Sequence, residues 1–252
     1  MIRGAGTLLN IGTVLTGSGV GLLLGHRLSQ RTRDVVTDAL GLLTLLAAGL
    51  SATAVTDAPF SRAVGPGVPV LIVLGALVGG AIFGSLLRIE DRIAALGAAA
   101  HTRLGRRSAG LAPPAQRVRF VQGFVTASLV FCVGPLTVLG SINDGLGRGI
   151  DQLALKSTLD GFAAIAFASS FGVGVAASAL TVAVVQGGLT LVGALLGNVL
   201  TDAQVSALTA TGGLLLVGIA LRLLRVREVP VGDLLPALVL APLLTWVVVV
   251  LH

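Results

Sequence analysis

Lys156 and Asp160 stand four residues apart in LALKSTLDGFAAIAF, so on a helix the ammonium and the carboxylate share one face. An ionisable pair in so apolar a stretch points to an ion or proton site at the mouth of a membrane pathway. The same residues also fit a structural role, with Ser157 as the cap of a helix and Asp160 near the positive end of its dipole. Asp144, in Asn143-Asp144-Gly145, is the corresponding carboxylate one apolar stretch earlier, and a helix-ending turn there would account for it equally well.

The stretch before Asp144, FVTASLVFCVGPLTVLGSIND, interrupts its own helix. Pro135 has no N–H to offer the Phe131 carbonyl, and its ring crowds that oxygen, while Gly134 loosens the backbone just before it. In hydrocarbon an unpartnered carbonyl costs on the order of several kcal/mol. Either Phe131 presents its oxygen to a wet pathway as a ligand, or the break is a kink healed by a water or by a hydroxyl such as that of Thr137. Ser141 and Asn143 make the exit from this segment polar. Asn10, Gln122 and Gln186 are uncharged amides within or at the edges of other apolar stretches, fit either to bond helices together or to line a pathway.

Other chemistries find no support. His26, His101 and His252 have no neighbour at ligand spacing, so no metal site is expected. The lone Cys132 excludes an internal disulfide and a cysteine-rich metal centre. Neither a Ser/His/Asp nor a Cys/His arrangement is apparent, so no enzyme and no cofactor are expected.

The elements that must position these residues follow from composition. Of 252 residues 54% are hydrophobic and 11% charged, and mean hydropathy is +0.98. Soluble domains carry about 25% charged residues, so this chain is an integral membrane protein. Its basic balance suits loops between spans, not nucleic acid, since aromatic residues are too few to stack bases. No cleavable leader is apparent, so the first apolar stretch is expected to be retained. Runs of roughly 20 apolar residues predict an all-α bundle of about eight spans, near 5–25, 35–56, 67–87, 118–140, 158–180, 183–200, 203–223 and 232–251. Between Gly161 and Thr201 lie 41 residues without a charge, which must turn once; Gln186-Gly187-Gly188 is a second candidate for that turn.

Eight spans place 13 of the 17 basic residues on one side, leaving Arg3, Arg62, Arg148 and Lys156 on the other. By the positive-inside rule both termini then lie outside the cytoplasm, and the basic segment 88–117 lies within it. Its Ile89, Ile93 and Leu96 share a face suited to lying on the membrane surface, although a basic topology anchor explains the loop as well.

An internal repeat is also visible at an offset of 172, with Gly21 and Gly25 falling on Gly193 and Gly197, Leu28 on Leu200 and Gly41 on Gly213. It matches an odd span with an even one, as inverted-topology repeats do. Small-residue stripes, Thr13-Gly17-Gly21-Gly25 and Ala166-Ser170-Gly174-Ser178, predict close helix contacts and leave room for a homo-oligomer. The expected organisation is one membrane domain over 1–252. Its repeat-like parts are about 1–87 and 183–251, and a central region 118–182 is broken at Pro135.

Phe124-Val125-xx-Ser128-Leu129-x-Phe131-Cys132-Val133-Gly134-Pro135 is followed by Leu139-Gly140-Ser141-Ile142-x-Asp144-Gly145 and Lys156-Ser157-xx-Asp160-Gly161. Together with Gly6-Thr7-xx-Asn10 and Gln186-Gly187-x-Leu189-Thr190, these motifs resemble the domain-of-unknown-function 554 (YdfK-like) family over essentially the whole chain. The resemblance implies a multi-pass bacterial inner-membrane protein, often suspected of transport, and carries no established site residues. The residues themselves favour a transporter or channel for a small polar solute or a monovalent cation. The alternative is a membrane scaffold or regulatory subunit that binds partner helices.

Overall fold

A computed structural model describes residues 3–25, 29–105, 114–132, 135–196 and 200–251. The α-helices are α1 (Ala5–Gly25), α2 (Gln30–Ala52), α3 (Ala58–Val64), α4 (Val68–Leu87), α5 (Ile89–Gly105) and α6 (Pro114–Cys132). After them come α7 (Pro135–Leu146), α8 (Asp151–Phe171), α9 (Gly174–Leu196), α10 (Asp202–Leu223), α11 (Val231–Leu234) and α12 (Ala237–Leu251). Every α-helix sits in a chain whose described residues contain no strand.

Among the described residues six helices are long and apolar enough to cross a membrane, and a seventh crossing is made if the bent pair α6–α7 counts as one. Large apolar side chains are exposed along these helices, Leu23, Leu86, Leu195 and Leu251 among them, as befits a lipid-facing surface. At 21 residues α8 spans about 32 Å, but Lys156 and Asp160 make it more polar than the others.

The chain forms two compact units. The first takes Met1–Leu40, Asp91–Cys132 and Leu136–Gly197; the second takes Gly41–Glu90, Val133–Pro135 and Asn198–His252.

In the first unit α1 lies against α8 at backbone distance. A Cβ on Gly17 would strike the Gly161 carbonyl, one on Gly21 the Ile165 carbonyl, and one on Gly25 the Ser169 carbonyl. Both partners advance by four residues at each step, so the two helices run parallel. Without a hydrophobic drive in lipid, this approach of backbones supplies the packing energy, and only glycine permits it. The first small-residue stripe is therefore used within the chain.

The second stripe is split: α8 ends at Phe171, Gly172 turns at φ 83°, and α9 starts at Gly174. The chain thus turns some ten residues earlier than the span limits 158–180 and 183–200 imply. Gln186-Gly187-Gly188 is not a turn, since α9 runs through it unbroken to Leu196. Because the turn at Gly172 is tight, α9 returns antiparallel to α8, and therefore to α1. The start of α6 packs on the start of α9, Gly174 meeting the Phe120 carbonyl and Gly123 meeting Val175 and, at the end of α8, Phe171, while farther along Ser128 Oγ bonds Thr181 Oγ1 at 3.0 Å.

In the second unit α4 and α12 approach through Gly75 against Leu244 and Gly80 against Ala237, which makes them antiparallel, and Gly84 meets Asp233 of α11. Phe60, Val64, Ile72, Ala76, Ala203 and Ala207 form part of the apolar core there. A polar staple closes one end. Glu90 accepts from Arg222 at 2.7 Å and from the Gly232 N–H at 2.6 Å, while its own N–H donates to Asp233 at 2.9 Å.

One pair of contacts in this unit is reciprocal. Gly41 of α2 faces Leu224, and Gly213 of α10 faces Ala52. The offset of 172 carries Gly41 onto Gly213 and Ala52 onto Leu224, so each contact is the image of the other.

Candidate functional site

Asp144, in the last turns of α7, is buried and accepts two backbone hydrogen bonds from the start of α1: Gly4 N–H at 3.0 Å and Thr7 N–H at 3.2 Å. These are N–H groups that a helix start leaves without intrahelical partners, so a carboxylate from another element caps α1 across 140 residues of sequence. It does more than end its own helix. At the same level Thr7 and Thr190 join α1 to α9, their hydroxyls 3.0 Å apart.

One turn deeper lies the charge pair. Asn10, fully buried, donates from Nδ2 to Asp160 Oδ2 at 2.9 Å, and Lys156 Nζ lies 2.5 Å from the same oxygen. Ser157 is not a cap here. Helix α8 starts at Asp151, and the Ser157 hydroxyl donates to the Leu153 carbonyl at 2.6 Å. Lys156 and Asp160 therefore sit within the helix, both buried, and not at its first turn.

Helix geometry brings further groups to this depth. Asn10 follows Thr7 by three residues on α1, and Gln186 precedes Thr190 by four on the antiparallel α9. With Thr7 and Thr190 bonded, both amides lie about one turn, roughly 5 Å, below that bond. Ser141 precedes Asp144 by one turn on α7, and its chain neighbours Gly140 and Ile142 meet Leu153 and Gly193, at the level of the α1 cap. Asn10, Ser141 and Gln186 are each 0% exposed. Among the described residues the Asn10 Oδ1, the Ser141 Oγ and both amide atoms of Gln186 have no hydrogen-bond partner. A buried polar group in that state costs about 1–3 kcal/mol. The Ser18 hydroxyl, two turns farther along α1, is buried and unpartnered in the same way.

Beside this cluster, between the start of α1 and α9, runs a groove of about 610 Å³. Thr7 and Thr190 reach it, as do Arg3, Leu8, Gly187 and Gly188.

Several expected site residues lie elsewhere. Gln122 is exposed on α6. Asn143 donates to Gln152 Oε1 at 3.1 Å and ties the α7–α8 connection together. The Phe131 carbonyl is not an open ligand: Thr137 Oγ1 donates to it at 3.2 Å in a buried setting, the healed-kink alternative. α6 and α7 meet at 75°. Gly134 lies outside the described residues, as does the Pro135 side chain. Conversely, Thr7 and Thr190 do not stand out by residue type, because a threonine in an apolar run is ordinarily bonded to its own helix. Their place beside Asn10 and Gln186 in the family-like motifs is the signal that could have found them.

The model of a protein family described as "Protein of unknown function (DUF554)" matches residues 5–246. The chain belongs to the DUF554 family. It is 31% identical over 238 residues to "Uncharacterized protein YqgA" of Escherichia coli (strain K12), covering 94% of each chain. It is 26% identical over 244 residues to "Uncharacterized membrane protein YdfK" of Bacillus subtilis (strain 168), covering 96% of each. No solved structure matches. Matches of this extent span all of the elements that build the site, so the DUF554 match concerns the cluster and its scaffold together.

Proposed function

We propose that this DUF554 protein moves a small polar solute or ion across a bacterial inner membrane, with Asn10, Ser141, Lys156, Asp160 and Gln186 as its central site. The observation that carries the proposal is Gln186, wholly buried with neither amide atom partnered among the described residues. A purely structural position would shed that cost by holding leucine. Its unpartnered groups, two amides and a hydroxyl, are weak acids and bases, and Lys156 and Asp160 occupy each other, so the site suits passage better than catalysis.

The membrane frame of the proposal has eight crossings. α8 is long enough for one, and α6–α7 makes one broken crossing. This parity agrees with α1 and α8 running parallel, because three crossings, α2, α4 and α6–α7, then separate them. The basic residues divide 13 to 4 in this frame, which places both termini outside the cytoplasm. The reciprocal contacts of Gly41 and Gly213 support an inverted repeat, with α1–α2 answering α9–α10.

The test is flux into vesicles reconstituted with the pure protein. Salts, uncharged solutes and amino acids are offered in turn. At least one is expected to enter faster than into protein-free vesicles, and Gln186→Leu should suppress the difference without loss of folding. Equal entry with and without protein for every class would overturn transport.

A further inference from the structure

Resting on the transport reading, we infer that the site takes an uncharged solute of the urea and primary-amide class. Charge excludes the ions first. The ionised groups at this depth, Lys156 and Asp160, neutralise each other through a contact of 2.5 Å. Asp144, one turn outward, is committed to the Gly4 and Thr7 N–H groups at the positive end of α1. A cation or an anion beside Asn10 and Gln186 would meet no net opposite charge from this pair, yet would lose its hydration.

The unpartnered atoms then define the complement. Gln186 presents a carbonyl oxygen and an NH₂ side by side, a donor–acceptor edge that another carboxamide matches with two parallel hydrogen bonds. Asn10 turns its NH₂ to Asp160, which leaves Oδ1 to accept one more N–H. The Ser141 hydroxyl can donate or accept. A molecule that suits all of these carries at least one NH₂ next to a carbonyl, as urea and acetamide do. A polyol offers no flat donor–acceptor edge, and an alkali cation leaves the Gln186 NH₂ unanswered.

The groove between α1 and α9 supplies an approach. Among the described residues no other side chain or helix lies within 4 Å of where a Cβ on Gly187 or Gly188 would stand, so the α9 wall is low there. Thr7 and Thr190 face the groove and also bound the cluster one turn above Asn10 and Gln186. Their mutual hydrogen bond is one that an amide can replace with its own.

The experiment is stopped-flow light scattering of proteoliposomes in inward gradients of urea, of acetamide and of KCl, with protein-free vesicles as reference. The protein is expected to accelerate swelling in urea and acetamide and not in KCl. Gln186→Leu should lower the protein-dependent rate at least about tenfold, the loss expected for two hydrogen bonds. Its thermal unfolding temperature should be equal or higher. Ser141→Ala, a smaller change, should lower the rate less. Acceleration by KCl but not by urea or acetamide overturns the uncharged-solute assignment and leaves transport standing. Acceleration by urea that Gln186→Leu and Ser141→Ala both leave intact places the route elsewhere and overturns this site. No acceleration in any gradient counts against this inference, and the broader panel of ions and amino acids then decides whether transport falls with it.

Discussion

Asp144 and Asp160 are both buried carboxylates, and their partners give them different work. Asp144 holds two backbone N–H groups of α1. Asp144→Asn keeps the shape and loses the charge, so the cap weakens by about 1–2 kcal/mol. The expected outcome is a lower unfolding temperature in detergent with unchanged flux per folded molecule. Asp160 instead neutralises Lys156 inside α8. Asp160→Asn leaves a buried ammonium without its counter-charge, a loss of about 3–5 kcal/mol. Replacing both, Lys156→Met with Asp160→Leu, should restore most of that stability, since removing a whole buried pair is often neutral. Urea- or amide-induced protection against unfolding should not return with it, because Asn10 has then lost the group that orients it. If Asp160→Asn unfolds no earlier than Asp144→Asn, Lys156 has found another partner and the pair is not the core of the site.

The contact between α1 and α8 is a backbone contact, and its demands differ from glycine to glycine. Gly17 and Gly21 have carbonyls of α8 where a Cβ would go, whereas Gly12 and Gly19 on the same helix face open space. Gly21→Val should therefore separate α1 from α8 and lower the unfolding temperature sharply. Gly12→Ala and Gly19→Ala should leave it unchanged or raise it slightly. Equal effects from all of these would mean that helix propensity, not contact, governs the stripe. At the junction of α6 and α7 the element-level device is one hydroxyl. Thr137→Val takes the donor from the Phe131 carbonyl, and the expected cost is about 1–3 kcal/mol. That loss is read as a lower unfolding temperature, with Thr137→Ser, which keeps the hydroxyl, close to the parent.

Membrane orientation belongs to the molecule as a whole. A reporter fused at Ala112 is expected in the cytoplasm, while reporters at Asp151 and at the C-terminus are expected outside. An internal C-terminus would overturn the eight-crossing frame, and the proposed inverted repeat with it. The repeat has its own reading in the α2–α10 contact. Gly213 meets backbone atoms of α2, and Gly41 meets the flexible side chain of Leu224. Substitution by alanine should therefore cost more at Gly213 than at Gly41, even though the contacts are images of each other in position.

Composition and the length of apolar runs determine by themselves that this is a helical membrane protein, because a bilayer admits few backbone solutions and a run of about 20 apolar residues states one of them. The polar residues that such a chain keeps in its spans are equally legible: Asn10, Ser141, Asp144, Lys156, Asp160 and Gln186 stand out against their surroundings, and all are buried. Pairing is not legible. Ser157 followed by Asp160 reads locally as a cap, yet α8 begins earlier, at Asp151, because the same residue types fit more than one place in a helix. The turn at Gly172 and the unbroken passage through Gln186-Gly187-Gly188 were hidden for the same reason, since glycine serves both turns and close helix contacts. The hydrogen bonds that give Asp144 to α1 and Asn10 to Asp160 join residues 140 and 150 positions apart. Only the tertiary structure decides such pairs, because in hydrocarbon a polar group takes whatever partner the packing of backbones brings within reach.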